Sequence, residues 1–316
     1  MTLYGVSLKF PDIKTIRRGP YPAISPLKPE NNQAGKTILI TGGAGGIGFA
    51  HAKAFIHAGA AHVIITSRRE GFLRDGVAQL EAEVKAVGGN TKISGYASDG
   101  SDITESKRLW NELKESGIHV DVLVLNAAGG NVVGPLIDGD VEEIWKVYEI
   151  NVLALLNYTK LFYDQPDKTR KKYIVFVSTS MVQNLGFLGD NAGLTSYALT
   201  KNAAQVLMQQ IARDVDPDKL QIISVHPGAY FTEGAQKLGV SADAMEWDDI
   251  DLAGRTGVWA ATDDAKFLHG RYLAAWWDID ELKSNEIRNK LEQDWHFLRV
   301  GVKGVETADR TDVPAQ

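Results

Sequence analysis

Residues 36–60 read Lys36-Thr-Ile-Leu-Ile-Thr41-Gly42-Gly43-Ala44-Gly45-Gly46-Ile47-Gly48-Phe-Ala-His51-Ala-Lys-Ala-Phe-Ile-His57-Ala-Gly-Ala60. A short apolar run ends in a glycine-rich turn, and apolar and small residues then recur at helical spacing. Strand, turn and helix in that order form the first half of a βαβ unit. Glycines in such a turn permit positive φ and let backbone N–H groups approach a pyrophosphate. The helix start adds a favourable partial positive charge. Gly42, Gly46, Ile47 and Gly48 are therefore candidate dinucleotide-binding positions. No Gly-Lys-Ser/Thr closes the turn, so it is not a P-loop.

The same rhythm continues outward. HVIITS (62–67), TKISGYA (91–97), VDVLVLN (120–126), KYIVFVS (172–178) and QIISVH (221–226) read as further strands. Helices are expected over about Gly76–Val87, Val141–Phe162 and Ser196–Asp214, with another between the third and fourth strands. The strands lack polar alternation, as strands covered on both faces do. The expected fold class is α/β: a doubly wound, mostly parallel, Rossmann-like sheet of about seven strands with helices on both faces. FLHGRYLAAW is expected to hold the seventh strand. Residues 276–300, WWDIDELKSNEIRNKLEQDWHFLRV, read as a strongly helical tail that holds Trp276, Trp277 and Trp295, and residues 301–316 read as frayed.

Residues 1–34 differ in texture. They hold Pro11, Pro20, Pro22, Pro26 and Pro29, half of the chain's ten prolines, with no surviving period. They read as an irregular N-terminal extension, either a surface-hugging tail or a subunit or substrate contact. Residues 35–316 read as a single catalytic domain, since no repeat or boundary follows residue 35.

Composition bounds the function. The chain has 316 residues, 44% hydrophobic and 23% charged, with a net charge of -6. That balance suits a folded globular protein and argues against a general nucleic-acid binder. There is no cysteine, which excludes disulfides, thiolate nucleophiles and zinc–thiolate sites. The first residues do not resemble a secretory signal, no apolar stretch reaches membrane-spanning length, and VPAQ is no targeting signal. A cytoplasmic location, no membrane insertion and a possible homo-oligomer are the expectations. No His/Asp/Glu group has metal-ligand spacing, so no metal is expected. His226 reads as a hydrogen-bonded structural residue, and His51 and His57 as packing or surface residues.

The second strand ends Thr66-Ser67-Arg68-Arg69. A carboxylate that would accept a ribose 2′-OH is missing there, and two guanidinium groups stand in its place. Guanidinium suits a 2′-phosphate by charge-assisted hydrogen bonding, so NADP(H) is expected in preference to NAD(H), with Ser67 and Arg68 as contacts.

Further motifs, taken in order, resemble the short-chain dehydrogenase/reductase family. Asn126-Ala127-Ala128-Gly129 is similar to its Asn-Asn-Ala-Gly element, with Ala127 replacing the second Asn. Asn151 matches its helix asparagine. Tyr197-Ala-Leu-Thr-Lys201 matches Tyr-x-x-x-Lys, and Pro227-Gly228-Ala-Tyr-Phe-Thr232 matches Pro-Gly-x-x-x-Thr. The resemblance spans about residues 36–232. It implies that Asp99 meets the adenine ring and that Asn126, Gly129, Pro227, Gly228 and Thr232 line the cofactor. It implies that Tyr197 passes a proton to or from the substrate oxygen, that Lys201 lowers the tyrosine pKa and holds the nicotinamide ribose, and that Asn151 positions a proton-relay water.

Chemistry supports those roles. Tyr197 and Lys201 are four apart on an expected helix and share one face. A free tyrosine titrates near pKa 10, and a nearby ammonium favours the phenolate. The family's substrate-orienting hydroxyl is expected from Val177-Ser178-Thr179-Ser180. Strand register favours Thr179, Ser180 is equally reachable, and Ser180 is the narrow choice. Only one of the two is expected to face the substrate, because side chains alternate along an extended backbone.

The expected activity is NADP(H)-dependent interconversion of a ketone or aldehyde and an alcohol, with reduction the expected direction. Phe187, Leu188, Tyr230, Phe231, Met245, Trp247 and Trp259 suggest an apolar or aromatic small-molecule substrate. An isomerase, dehydratase or cyclase that holds the cofactor, or a cofactor-sensing binding protein, are the alternatives on the same scaffold.

Overall fold

The computed structural model describes residues 12–182, 194–231, 236, 241–244 and 246–302. Seven parallel strands run β1 (Thr37–Thr41), β2 (His62–Ser67), β3 (Lys92–Ala97), β4 (Val122–Leu125), β5 (Lys172–Val177), β6 (Leu220–His226) and β7 (Arg271–Ala274). Their order across the sheet is β3-β2-β1-β4-β5-β6-β7. β1 pairs with β2 through Ile38 opposite Val63, and with β4 through Ile38 opposite Val122. The chain leaves β1 in one direction to build β2 and β3, then crosses to β4 on the other side. That reversal opens a crevice beyond the carboxyl ends of β1 and β4, where doubly wound sheets bind ligands.

Helices α1 (Gly46–His57), α2 (Glu70–Ala86), α3 (Ile103–Glu115), α4 (Val141–Tyr148), α5 (Ala154–Tyr163), α6 (Thr195–Arg213) and α7 (Asp251–Ala260) cover both faces. Strand periodicity divides the core. Ile38, Ile40, Val63 and Ile65 face one cluster with Phe55 of α1 and Val258 of α7. Leu39, Ile64, Leu123 and Phe176 face another with Leu109 of α3, Phe162 of α5 and Met208 of α6. This two-faced burial explains why the central strands read as unbroken apolar runs, while the edge strand β3 keeps exposed positions.

Three expectations change in detail. α2 begins at Glu70 rather than Gly76, because Leu73, Gly76, Leu80 and Val84 form one buried stripe. The expected helix over Val141–Phe162 contains a π-helical turn at Glu149–Leu153 between α4 and α5. Such a turn inserts a residue and rotates the following face. The tail is not one helix from Trp276. Trp276 and Trp277 sit between β7 and two short helices, α8 (Ile279–Leu282) and α9 (Asn285–Gln293). Asp278 caps the first by accepting from the Asp280 and Glu281 amides, and Arg271 of β7 donates to the carbonyls of Leu291 and Phe297 around the end of the second.

Residues 12–34 are no surface tail. Prolines open two short 3-10 turns, Pro22–Ile24 and Pro29–Asn31. Ile13, Tyr21 and Ile24 join the same core cluster as β1 and α1. The Tyr21 hydroxyl donates to the Trp277 carbonyl and accepts from the Ile279 amide, and the Arg17 guanidinium holds Asp278 at 2.6 Å. Among the described residues no helix is long and apolar enough to cross a membrane.

Candidate active site

The turn after β1 takes the shape its glycines allow. Gly42 and Gly46 have φ of +65° and +56°, a region that side chains with a Cβ rarely adopt. A Cβ on Gly48 would lie 2.3 Å from the Gly42 carbonyl oxygen, so α1 packs onto the turn only with glycine there. No side chain caps α1, and no acidic residue lies in its first turn. The helix start therefore offers uncapped amides to an anion, which fits a dinucleotide pyrophosphate.

Thr41 and Asn126 lock this turn to the end of β4. The Thr41 hydroxyl accepts from the Asn126 and Ala127 amides, each at 3.0 Å. The Asn126 side chain donates back to the Thr41 and Gly42 carbonyls at 2.9 and 3.2 Å. Asn126 thus lines the cleft while its amide group shapes the turn.

A cleft of about 1040 Å³ runs along the strand ends. Gly42, Ile47, Ser67, Arg68 and Asp99 line one part of it, and Asn126, Gly129, Thr179, Ser180, Tyr197, Lys201, Pro227 and Gly228 line the rest. Gly46 and Gly48 shape the turn behind it, and Thr232 lies outside the described residues. At the end of β2 the Arg68 guanidinium approaches the Asp99 carboxylate at 3.6 Å, and Arg69 lies over the Phe72 ring at 4.3 Å. Two cations at this rim, with no carboxylate at the end of β2, fit a phosphate on the ribose.

Tyr197 and Lys201 occupy the first turns of α6. Lys201 is buried, and its Nζ donates to the Val177 carbonyl at 2.8 Å and lies 5.9 Å from the Tyr197 ring centre. Burial pushes its ammonium down to about 7. Asn151 reaches the same helix because the π-helical turn rotates it inward, to 3% exposure. Its Oδ1 accepts from the Gly129 amide, and its Nδ2 donates to the Gly129 carbonyl and to Thr200 Oγ1, all at 3.0 Å. Thr200 donates in turn to the Tyr197 carbonyl at 2.8 Å. Ser196, one residue before the tyrosine, accepts from the Val132 amide at 2.8 Å and ties α6 to the loop after β4. Thr200 and Ser196 went unread in the sequence, although Ser/Thr beside a Tyr-x-x-x-Lys pair is the available signal.

The hydroxyl pair departs from the expected alternation. β5 ends at Val177, and Ser180 opens a 3-10 turn (Ser180–Val182), so extended geometry does not reach Ser180. Both Thr179 and Ser180 line the cleft. Thr179 Oγ1 accepts from the Met181 amide at 3.4 Å, and Ser178 donates to Gln205 at 2.9 Å.

Aromatic residues divide. Tyr230, Trp247 and Trp276 line the cleft, and Phe231 packs on Trp247 with ring centres 5.5 Å apart. Trp259 does not line it: the ring is buried in the core and its Nε1 donates to Asp264 at 2.8 Å. Phe187, Leu188 and Met245 lie outside the described residues. His226 lines the cleft but is not the hydrogen-bonded residue expected. Neither ring nitrogen has a hydrogen-bond partner among the described residues, and the ring stands edge-on to Trp276 at 4.7 Å. Burial pushes it down to about 3, so it is neutral at ordinary pH. His51 is buried in α1 and pushed down to about 4 by the same cause, and His57 contacts Glu83 at 2.6 Å.

A doubly wound parallel sheet, a glycine-rich first turn and a cleft at the switch point define a dinucleotide-binding enzyme fold of the Rossmann type. The short chain dehydrogenase family matches residues 36–242. A short chain dehydrogenase/reductase of Claviceps purpurea is 34% identical over 292 residues, 92% of this chain and 93% of that one. The short chain dehydrogenase/reductase AacuD of Aspergillus aculeatus is 35% identical over 86% of this chain and 89% of its own length. Among solved structures, a Burkholderia cenocepacia short chain dehydrogenase in complex with NADP superposes with a TM-score of 0.65 at 24% identity, covering 77% of this chain and 97% of that one. A 7α-hydroxysteroid dehydrogenase complexed with NADH and 7-oxo glycochenodeoxycholic acid gives 0.67 at 22% identity, covering 81% and 96%. The chain belongs to the short-chain dehydrogenase/reductase family, a family of oxidoreductases that use a nicotinamide cofactor.

Proposed function

We propose that this protein is an NADP(H)-dependent oxidoreductase that interconverts a ketone or aldehyde and its alcohol on an apolar or aromatic small molecule. The observation that carries the reading is the placement of Tyr197 and Lys201 on one helix face against the cleft that the glycine-rich turn opens.

The residues that would hold the cofactor are Gly42 and Ile47 at the pyrophosphate, Ser67 and Arg68 at the 2′-phosphate, Asp99 at the adenine, and Lys201 at the nicotinamide ribose. When bound, the nicotinamide supplies or accepts the hydride. Tyr197 gives a proton to the carbonyl oxygen in reduction and takes it back in oxidation. The Lys201 ammonium favours the tyrosinate and so eases that transfer. Asn151 and Thr200 keep α6 in register with the loop after β4 at Gly129. Ser180 is taken as the orienting hydroxyl, with Thr179 beside it at the cleft as the runner-up, whereas Ser178 spends its proton on Gln205. A donor aimed at the carbonyl oxygen stabilises the charge that builds there as reduction proceeds. Tyr230, Trp247 and Trp276 give the cleft an apolar, aromatic wall, which supports the substrate class. Arg68, in place of the missing carboxylate, supports the cofactor preference.

The test is direct. Purified protein is incubated with NADPH and a panel of apolar and aromatic ketones and aldehydes, and loss of NADPH absorbance is followed. Turnover with NADPH exceeding that with NADH is the expected result. Absence of turnover together with absence of NADPH binding would remove the reading.

A further inference from the structure

The turn after β6 is shaped by contacts that reach outside the dinucleotide-binding unit. Gly228 has φ +114°, and a Cβ there would stand 2.8 Å from the Tyr230 hydroxyl and 2.9 Å from Asp248 Oδ2. The Tyr230 hydroxyl donates to the Pro227 carbonyl. Asp248 pairs with Ala229 on both sides: its Oδ2 accepts from the Ala229 amide at 2.8 Å, and its own amide donates to the Ala229 carbonyl at 2.9 Å. Pro227, Gly228, Ala229 and Tyr230 all line the cleft.

Asp248 is a carboxylate whose side chain is fully covered. Burial pushes its carboxyl up, and the Ala229 amide and the Arg18 guanidinium pull it back. A buried carboxylate holds its charge only with a partner. Arg18 Nη1 supplies it at 3.0 Å and donates to the Glu246 carbonyl at 3.3 Å. The backbone secures Arg18 in place. Its carbonyl accepts from the Asp249 amide at 2.8 Å, and the preceding Arg17 amide donates to the carbonyl of Trp276, another cleft residue, at 2.7 Å.

We propose that Arg18 is a positioning residue of the active site: acting through the buried Asp248, it holds the Pro227–Tyr230 turn in the shape that faces the cleft. The N-terminal arm is on this account part of the site's framework. The proposal deepens the function proposed above, and the turn's shape is the property it assigns.

Two ion pairs of the arm differ in what they reach. Arg17 holds Asp278, whose carboxylate caps α8 by accepting from the Asp280 and Glu281 amides. Arg18 holds Asp248, which is bonded directly to the cleft turn. Loss of Arg17 therefore loosens the arm against α8. Loss of Arg18 leaves the Asp248 charge uncompensated next to Ala229, and the carboxylate must turn to water or take a proton, breaking its grip on the turn.

Hydrogen exchange of the cofactor-free protein, followed by mass spectrometry on a peptide spanning 227–231, tests this without reference to activity. In Arg18→Ala, exchange should accelerate about tenfold or more, the scale of one charge-assisted hydrogen bond lost from a local opening equilibrium. Arg18→Lys should restore most of the protection, and Arg17→Ala should leave this peptide unchanged. The KM for NADPH should rise by a similar factor in Arg18→Ala, with kcat changed less. Unchanged exchange in Arg18→Ala, or equal acceleration in Arg17→Ala, overturns the proposal. Failure of the unmodified protein to bind NADPH overturns the function proposed above instead, and the exchange result still decides the role of Arg18.

Discussion

Asn151 donates its side-chain amide to the Thr200 hydroxyl at 3.0 Å, and this one bond joins the π-helical turn to the helix that carries Tyr197 and Lys201. Thr200 is fully buried and spends its own proton on the Tyr197 carbonyl. Thr200→Val keeps the shape and removes the hydroxyl, leaving a buried amide donor unpaired. A loss of about 1–3 kcal/mol in unfolding free energy is expected, read from the urea midpoint, with turnover falling alongside. Unchanged stability would show that the bond contributes nothing.

Tyr197→Phe removes one oxygen and preserves the ring. Folding and cofactor binding should survive, while turnover falls by roughly 10²–10⁴, the range of a positioned acid–base group. Steady-state kinetics on any accepted carbonyl compound checks this. Near-full activity would reject Tyr197 as the proton donor.

Arg68→Ala should weaken NADPH binding about tenfold or more and NADH binding little, because charge-assisted hydrogen bonds are worth about 1.5–3 kcal/mol. Fluorescence titration with both cofactors gives the comparison. Asp99, 3.6 Å from the guanidinium, competes with the phosphate for it, so Asp99→Asn should shift affinity the other way. Equal affinities of the unmodified protein for the two cofactors would refute the preference.

For the orienting hydroxyl, Ser180→Ala should lower kcat by roughly ten- to a thousandfold, on the scale of one lost oxyanion donor. Thr179→Ala, which removes the acceptor for the Met181 amide, should act chiefly on stability. The reverse pattern in kcat would move the role to Thr179. Silence of both would end the case for hydroxyl assistance from this segment.

Three buried histidines set an acid limit. In the unfolded chain each titrates near 6.5, whereas in the folded protein burial holds His226 at about 3 and His51 and His62 at about 4. Between those values the unfolded chain binds protons that the folded one does not, so stability falls as pH drops below about 6.5. Each contributes on the order of a few kcal/mol over its full window. Urea midpoints at neutral and progressively acidic pH should decline, and His51→Gln should flatten the decline. A midpoint that stays level down to the lower pKa values would contradict the neutral-burial account.

Much of the site was legible because it is local. The glycine turn, the end of β2 and the Tyr197–Lys201 pair each need contacts only within a few residues of chain, and the four-residue interval places tyrosine and lysine on one face of any α-helix. Strands β1, β2, β4, β5 and β6 were legible because burial on both faces leaves each a nearly unbroken apolar run, whereas β3, at the sheet edge, keeps exposed positions. Local reading failed where one residue of phase matters. A single inserted residue at Glu149–Leu153 turns Asn151 toward Gly129, and hydrophobic spacing does not register it.

The sequence by itself determined the doubly wound sheet, the glycine-rich turn that opens its first helix, and the shared helix face of Tyr197 and Lys201. Tertiary structure alone decided which aromatic residues meet the cleft, placing Trp247 and Trp276 there and sending Trp259 to the core. It also brought Arg18 of the arm onto Asp248, which is bonded to the turn after β6. Arg18 and Asp248 lie 230 residues apart, and no periodicity or propensity carries information over that distance. What brings them together is burial: a carboxylate enclosed by packing requires a countercharge, and the folded chain alone determines which arginine is near enough to supply it.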